Sequence, residues 1–316
     1  MTTKTVIAFG EVLWDILPDR TVLGGAPFNF AYRVNSLGDT GLMISRVGAD
    51  GLGQKALEKI KSLGLSTRFV QLDADLPTGT VKITFDAEKN ADIFIVPNVA
   101  YDRIEFNDGL ADAVSQADCL CFGTLVQRAE KTRKTVEQLL EKAGQSLKLL
   151  DINLRKNCYS PQTVSFSLQK ADVLKLNDDE AADVAEMLGM QVKNIPEFCE
   201  QMCDEWSLKY IVVTFGANGA FALSHSGQKV YVPGYRVPLA DSLGSGDAFS
   251  AGFIHELLRD RPLEQACAYG NIMGALVATQ PGATGILTLE QIDKFDADDF
   301  ELNIHPQFEK FLSQLK

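Results

Sequence analysis

The segment Ala240-Asp241-Ser242-Leu243-Gly244-Ser245-Gly246-Asp247-Ala248-Phe249 sets two glycines around a small residue, with an aspartate directly before an apolar-faced helical pattern. Glycine lets the backbone turn its N–H groups towards a ligand, and a helix start adds partial positive charge, so the segment can form an anion site. An aspartate there repels phosphate unless it has a task. In phosphoryl transfer Asp247 could take the proton of an attacking hydroxyl while backbone amides hold the transferring group. A plainer reading stays open, with Asp247 capping a helix and the glycines making only a turn.

Other segments are ambiguous when read singly. In Leu174-Lys175-Leu176-Asn177-Asp178-Asp179-Glu180, Asn177 reads as a helix cap followed by an acidic first turn. Val213-Thr214-Phe215-Gly216-Ala217-Asn218-Gly219 reads as a hairpin turn, Gly24-Gly25 as a tight turn and Asp15 as a solvated loop residue.

Taken together and in order, these segments resemble the ribokinase (PfkB) family of carbohydrate kinases over nearly the whole chain. Asp241 to Asp247 is similar to the family's C-terminal signature D-T/S-x-G-A-G-D, with Ser245 where alanine is usual. Gly24-Gly25-Ala26-Pro27-Phe28-Asn29 resembles the N-terminal signature, and Gly10-Glu11-Val12-Leu13-Trp14-Asp15 resembles G-E/N-x-x-x-D. The resemblance implies that Asp247 is the catalytic base and that the amides of Leu243 to Asp247, through Gly244, Ser245 and Gly246, form an anion hole. It implies that Asp15, Gly24, Gly25 and Asn29 contact the sugar. Asn177 and Glu180 match N-x-x-E and by resemblance organise Mg²⁺, its waters and the phosphates, with Glu180 in the outer shell. Thr214, Gly216 and Gly219 match a T-x-G-x-x-G loop along the nucleotide, and Asn271 the position lining the adenine pocket. Asp241, Leu243 and Gly282 match the surroundings of a monovalent cation, K⁺, in many relatives. ATP as co-substrate, Mg²⁺ and a homodimer joined through a small lid sheet are implied in the same way.

No G-x-x-x-x-G-K-S/T run occurs, nor the glycine loop and H-R-D set of protein kinases, nor a G-x-G-x-x-G after the first strand. Any nucleotide must then be held by the late glycine loop.

These residues need a scaffold. Short β-branched runs at 6–9, 118–122, 148–152, 173–176, 210–215, 221–224 and 229–232 alternate with helical patterns at 28–37, 53–63, 130–143, 179–188, 248–258 and 263–279. That rhythm predicts an α/β fold with a mainly parallel sheet covered by helices. The resemblance sharpens it to a ribokinase-like three-layer α/β/α sandwich with a small β-sheet lid. Residues 12–23 and 78–96 break the rhythm, being strand-like but followed by turns; 80–85 and 92–96 read as a hairpin around a polar turn at 86–91. The expectation is one domain over 1–316 with lid segments near 11–24 and 78–100.

Composition narrows the partners. The chain has 316 residues and a net charge of −12, which disfavours nucleic acid and anionic membrane surfaces. No apolar run is long enough to span a bilayer and the N-terminus lacks signal-peptide features, so a cytoplasmic location is expected. Six cysteines and three scattered histidines predict neither a disulfide framework nor a zinc site.

For the sugar, Gly24 to Tyr32, Gly123-Thr124-Leu125-Val126-Gln127-Arg128 and Asp151-Ile152-Asn153-Leu154-Arg155 look most like bacterial fructokinases, with 2-keto-3-deoxygluconate kinase the alternative. A non-catalytic sugar sensor is the competing class, opposed by the intact base, anion loop and N-x-x-E pair. Arg155 lies just past a strand end, where ligands bind in open α/β sheets. Its planar fork suits a γ-phosphate or a substrate carboxylate, and a structural pairing with a local acid is the remaining possibility. The phosphate role is the expectation.

Overall fold

The computed structural model describes residues 2–85, 91–295 and 300–312. Its strands are β1 (Thr5–Phe9), β2 (Leu13–Ile16), β3 (Thr21–Gly24), β4 (Thr40–Gly48), β5 (Val70–Asp73), β6 (Gly79–Phe85), β7 (Ala91–Ile95), β8 (Cys119–Phe122), β9 (Leu147–Asp151), β10 (Val173–Asn177), β11 (Tyr210–Thr214), β12 (Ala220–Ser224), β13 (Lys229–Val232), β14 (Gly234–Tyr235) and β15 (Leu302–Asn303). Its helices are α1 (Ala26–Ser36), α2 (Gly51–Ser62), α3 (Asp108–Ser115), α4 (Glu130–Lys142), α5 (Pro161–Lys170), α6 (Asp178–Met187), α7 (Ile195–Trp206), α8 (Ser245–Leu257), α9 (Leu263–Ala278), α10 (Leu289–Asp293) and α11 (Glu309–Leu312).

Period-two burial builds the layers. In β1, Val6 and Ala8 join one apolar core while Ile7 and Phe9 join the other. The first core packs against α1, α2, α8 and α9, the second against α3 to α7. Between them runs a nine-stranded sheet ordered β13-β12-β11-β10-β9-β8-β1-β4-β5. It is parallel from β5 to β11, and β12 pairs antiparallel with both β11 and β13. This is the expected three-layer α/β/α architecture. Each predicted strand and helix is present with ends moved by a few residues.

A second sheet of four strands, ordered β3-β2-β6-β7, supplies the irregular segments. The expected hairpin is the antiparallel pair β6–β7, and β2 pairs parallel with β6. Residues 86–90 of its expected turn lie outside the described residues. Among the described residues no helix is long and apolar enough to cross a membrane. All six cysteines are buried and free.

The sequence left β4, β5, β14, α3, α5, α7 and everything past α9 unassigned. The final segment proves well anchored: β15 pairs with β14, and fully buried Phe308 stacks on Tyr231 and Phe221 with centroids 4.6 and 5.1 Å away. Truncating a buried aromatic costs about 3–5 kcal/mol. Phe308→Ala is therefore expected to lower the unfolding free energy by that amount, read as a lower midpoint of denaturant unfolding at unchanged slope, and an unchanged midpoint would show that the segment is not docked.

Candidate active site

The parallel strands bring their C-terminal ends to one edge. Glu11 lies two residues past the end of β1, Gly123 and Thr124 follow β8, Asp151 ends β9, Asn177 ends β10 and Thr214 ends β11. Facing this edge is the start of α8. The sequence placed that start at 248, but the helix begins at Ser245, so Gly246 and Asp247 sit inside its first turn. Gly244 caps it with φ 78°, and a side chain there would also strike Ala283. The amides of Gly246 and Asp247 are thus first-turn donors without helical partners, while that of Ser245 donates to the Ser242 carbonyl at 3.2 Å.

Asp247 is only 9% exposed, and its Oδ2 accepts a hydrogen bond from Asn29 Nδ2 at 2.9 Å. Burial pushes its carboxyl up to about 6, and the nearby charge of Asp151 acts in the same direction. The Asn29 bond, Lys175 and Arg155 pull it back. Two buried side-chain oxygens here, Asn29 Oδ1 and Ser245 Oγ, have no hydrogen-bond partner among the described residues.

Neighbouring loops lock this turn. Arg33, fully buried in α1, donates to the carbonyls of Ala283 and Gly285. Asp241 accepts from the amide of Leu243 at 3.0 Å and from that of Gly282 at 3.1 Å. The fold thus gathers the three residues expected around a monovalent cation, and Arg20 Nη2 lies 3.9 Å from Asp241 Oδ2.

On one side of α8 lies a cleft of about 310 Å³, lined by Thr214, Gly216, Gly219, Gly246 and Asn271, with Phe249, Leu239, Ala275 and Ala278 as apolar wall. Gly219 (φ 87°) could carry no side chain, because one would run into the Val232 carbonyl. The glycine loop is both a lining of the cleft and the β11–β12 hairpin turn. Asn271 donates from Nδ2 to the carbonyls of Val232 and Pro233, both at 3.1 Å. Asn177 and Gly244 are not among the cleft-lining residues. Asn177 and Glu180 form a reciprocal capping box, with Asn177 Oδ1 accepting from the Glu180 amide and Glu180 Oε2 from that of Asn177. Glu180 Oε1 accepts from the Leu154 amide at 2.9 Å, tying α6 to the loop after β9.

Asp15, Gly24, Gly25 and Arg155 lie on the small-sheet side. A side chain at Gly24 would come within 2.6 Å of Asp15 Oδ2, and one at Gly25 (φ 112°) would strike the Glu11 carbonyl. Burial pushes the Asp15 carboxyl up to about 6 and that of Glu11 up to about 7, with Arg155 opposing both. Arg155 is exposed, donates to the Leu154 carbonyl at 3.1 Å and makes no ion pair among the described residues.

Some residues at this edge carried no expected role. Glu11, Arg33, Asp151, Lys175 and Ser250 all approach Asp247 or its turn. One signal was readable: Lys175 interrupts an apolar strand, Val173-Leu174-Lys175-Leu176, where a lysine needs a buried partner.

Compared with known proteins, the chain matches the family described as "pfkB family carbohydrate kinase" over residues 18–289. It is 26% identical to the 2-dehydro-3-deoxygalactonokinase of Haloferax volcanii, covering 92% of this chain and 96% of that protein. The fructokinase of Xylella fastidiosa, solved with bound ATP, superposes with a TM-score of 0.80 at 21% identity, covering 92% of this chain and 97% of that one. A double mutant of the fructokinase of Vibrio cholerae O395, solved with fructose, ADP and a potassium ion, gives 0.79 at 22% identity, covering 93% and 98%. At such identities these structures establish the ribokinase-like fold.

The burial of Asp247 has a consequence for stability. A carboxyl whose folded value is raised is disfavoured as it ionises, so stability falls as pH rises from the ordinary 3.8 through about 6 and stays lower above it. The full difference is on the order of 3 kcal/mol. Asp247→Asn keeps an acceptor for Asn29 without the charge. It is expected to unfold at higher temperature than the parent at pH 8, with the gain fading by pH 4. Equal melting at pH 8 would show that the carboxylate is not strained by its burial.

Proposed function

We propose, from the premise that this chain belongs to the pfkB family of carbohydrate kinases, that it transfers the γ-phosphoryl group of ATP to a hydroxyl of fructose. The observation that carries the reading is the Asn29–Asp247 hydrogen bond, which sets a buried carboxylate at the head of α8 between the cleft and the Gly24-Gly25 turn. The sugar hydroxyl gives its proton to Asp247 as its oxygen attacks the γ-phosphorus. The bond to the β–γ bridging oxygen breaks, and ADP leaves with that electron pair. The first-turn amides of α8 stabilise the oxygens of the transferring group.

The cleft beside α8 suits the nucleotide, with its apolar wall against the base and Gly216, Gly219 and Gly246 letting backbone approach the phosphates. Among the described residues no three acidic, histidine or cysteine side chains cluster to hold a metal. That suits Mg²⁺, which supplies charge neutralisation while bound mainly to phosphate and water. Glu180 and Asn177 would orient its waters. The Asp241–Leu243–Gly282 cluster would hold K⁺ by backbone carbonyls and so shape the anion turn. The small sheet closes over the sugar as a lid, and its exposed Ile93 and Phe94 offer a face for pairing two copies.

Fructose is favoured by charge. Asp15, Glu11 and Asp247 face the sugar side with Arg155 as the one cation they share. A neutral polyol brings hydroxyl donors to these carboxylates and to the unpartnered Asn29 Oδ1. One observation favours the second reading, 2-keto-3-deoxygluconate: Arg155 is exposed without an ion pair, free to take a substrate carboxylate.

Asp247→Ala is expected to lower kcat by about 10² to 10⁴ while ATP affinity changes little. In the parent, kcat/KM should fall on acidification with a midpoint near pH 6, as the base becomes protonated. Near-normal kcat in the variant would remove Asp247 from the mechanism. Arg155→Ala is expected to slow turnover of every sugar, as a phosphate clamp requires. A rise in KM confined to 2-keto-3-deoxygluconate, with fructose unaffected, would overturn the choice of fructose.

A further inference from the structure

Under the first turn of α8 lies a buried charge set that the chemistry above does not use. Lys175 is inside β10, 8% exposed, and stands in register beside Asp151 of β9. Its Nζ lies 3.1 Å from Asp151 Oδ1, while Asp151 Oδ2 accepts from Ser250 Oγ at 2.7 Å. Ser250, one turn along α8, also places its Oγ 3.1 Å from the carbonyl of Gly246. A side chain at Gly246 would sit 3.3 Å from Lys175 Nζ, so the ammonium lies directly against the anion turn. Burying an ion pair is no better for stability than burying apolar groups of similar volume, and its retention here needs another reason.

We propose that Lys175 and Asp151 are positioning residues for Asp247: their ion pair, with Ser250, pins the first turn of α8 to the sheet edge and balances the charge around the base. The proposal rests on the reading of Asp247 as that base. Three buried carboxylates, Asp151, Glu180 and Asp247, act on the buried ammonium of Lys175. Asp151 opposes ionisation of Asp247 and Lys175 favours it. The other groups that face Asp247 are Asn29 and Arg33 from α1, Glu11 after β1, Cys121 in β8 and Arg155 after β9. None of them bonds to Lys175, so the pair can be altered without touching them.

The two members therefore act on the base with opposite signs, which core filling alone would not produce. The test is the pH dependence of kcat/KM at saturating ATP for Lys175→Met and Asp151→Asn. Loss of the ammonium is expected to move the acid limb to higher pH, and loss of the carboxylate to move it to lower pH, each by about one unit. The double variant should return close to the parent limb. If Lys175→Met does not fold, Asp151→Asn decides alone: a limb moved to lower pH supports the pairing, and an unmoved limb overturns it. Limbs that move in the same direction in both variants also overturn it. Failure of the base itself reads differently, because Asp247→Ala would then keep its turnover, whereas failure of the pairing leaves Asp247 essential and the limbs in place.

Discussion

The hydrogen bond from Asn29 to Asp247 spans 218 positions of sequence and joins the two helices on which the site depends. Asn29 sits one turn into α1, straight after the Gly24-Gly25 turn, and Asp247 sits in the first turn of α8. An unpaired carboxylate so deeply buried would give up its charge. The bond keeps it ionisable and at the same time sets the distance between the Gly24-Gly25 turn and the first turn of α8. Loops, sheet edge and small sheet are arranged around that contact.

Close backbone approach is the second constraint. Gly244 must lie against Ala283, Gly25 against the Glu11 carbonyl and Gly219 against Val232, and in each case a side chain would force the loops apart. Buried polar groups then hold what the glycines bring near. Arg33 spends its donors on the 283–285 loop, and Asp241 accepts amides from both of the loops it joins. The turn before α8 is therefore held in place by its packing against Ala283 and by the bonds of Asp241.

Charge at the edge is sorted by depth. Lys175 and Asp151 neutralise one another inside, while Asp15, Glu11 and Asp247 stand at the edge with raised affinities for protons. Arg155 remains at the surface, available to an incoming anion.

The amino-acid sequence alone determined the layered α/β plan, because alternating burial and 3.6-residue periodicity are local patterns that each element carries within itself. It also singled out Asp247, since an aspartate directly after a Gly-Ser-Gly turn at a helix start is unusual on local grounds. It left Asn177 and Glu180 ambiguous, and the fold contains the capping box that the plainer reading anticipated. Nothing local could pair Lys175 with Asp151, because their contact depends on the register of two strands joined through α5. Nor could it dock the segment around Phe308, whose partners lie about 75 to 95 residues earlier. The start of α8 at Ser245 is likewise a tertiary outcome: the turn at Gly244 is held by Ala283, a residue that only the folded chain brings to it.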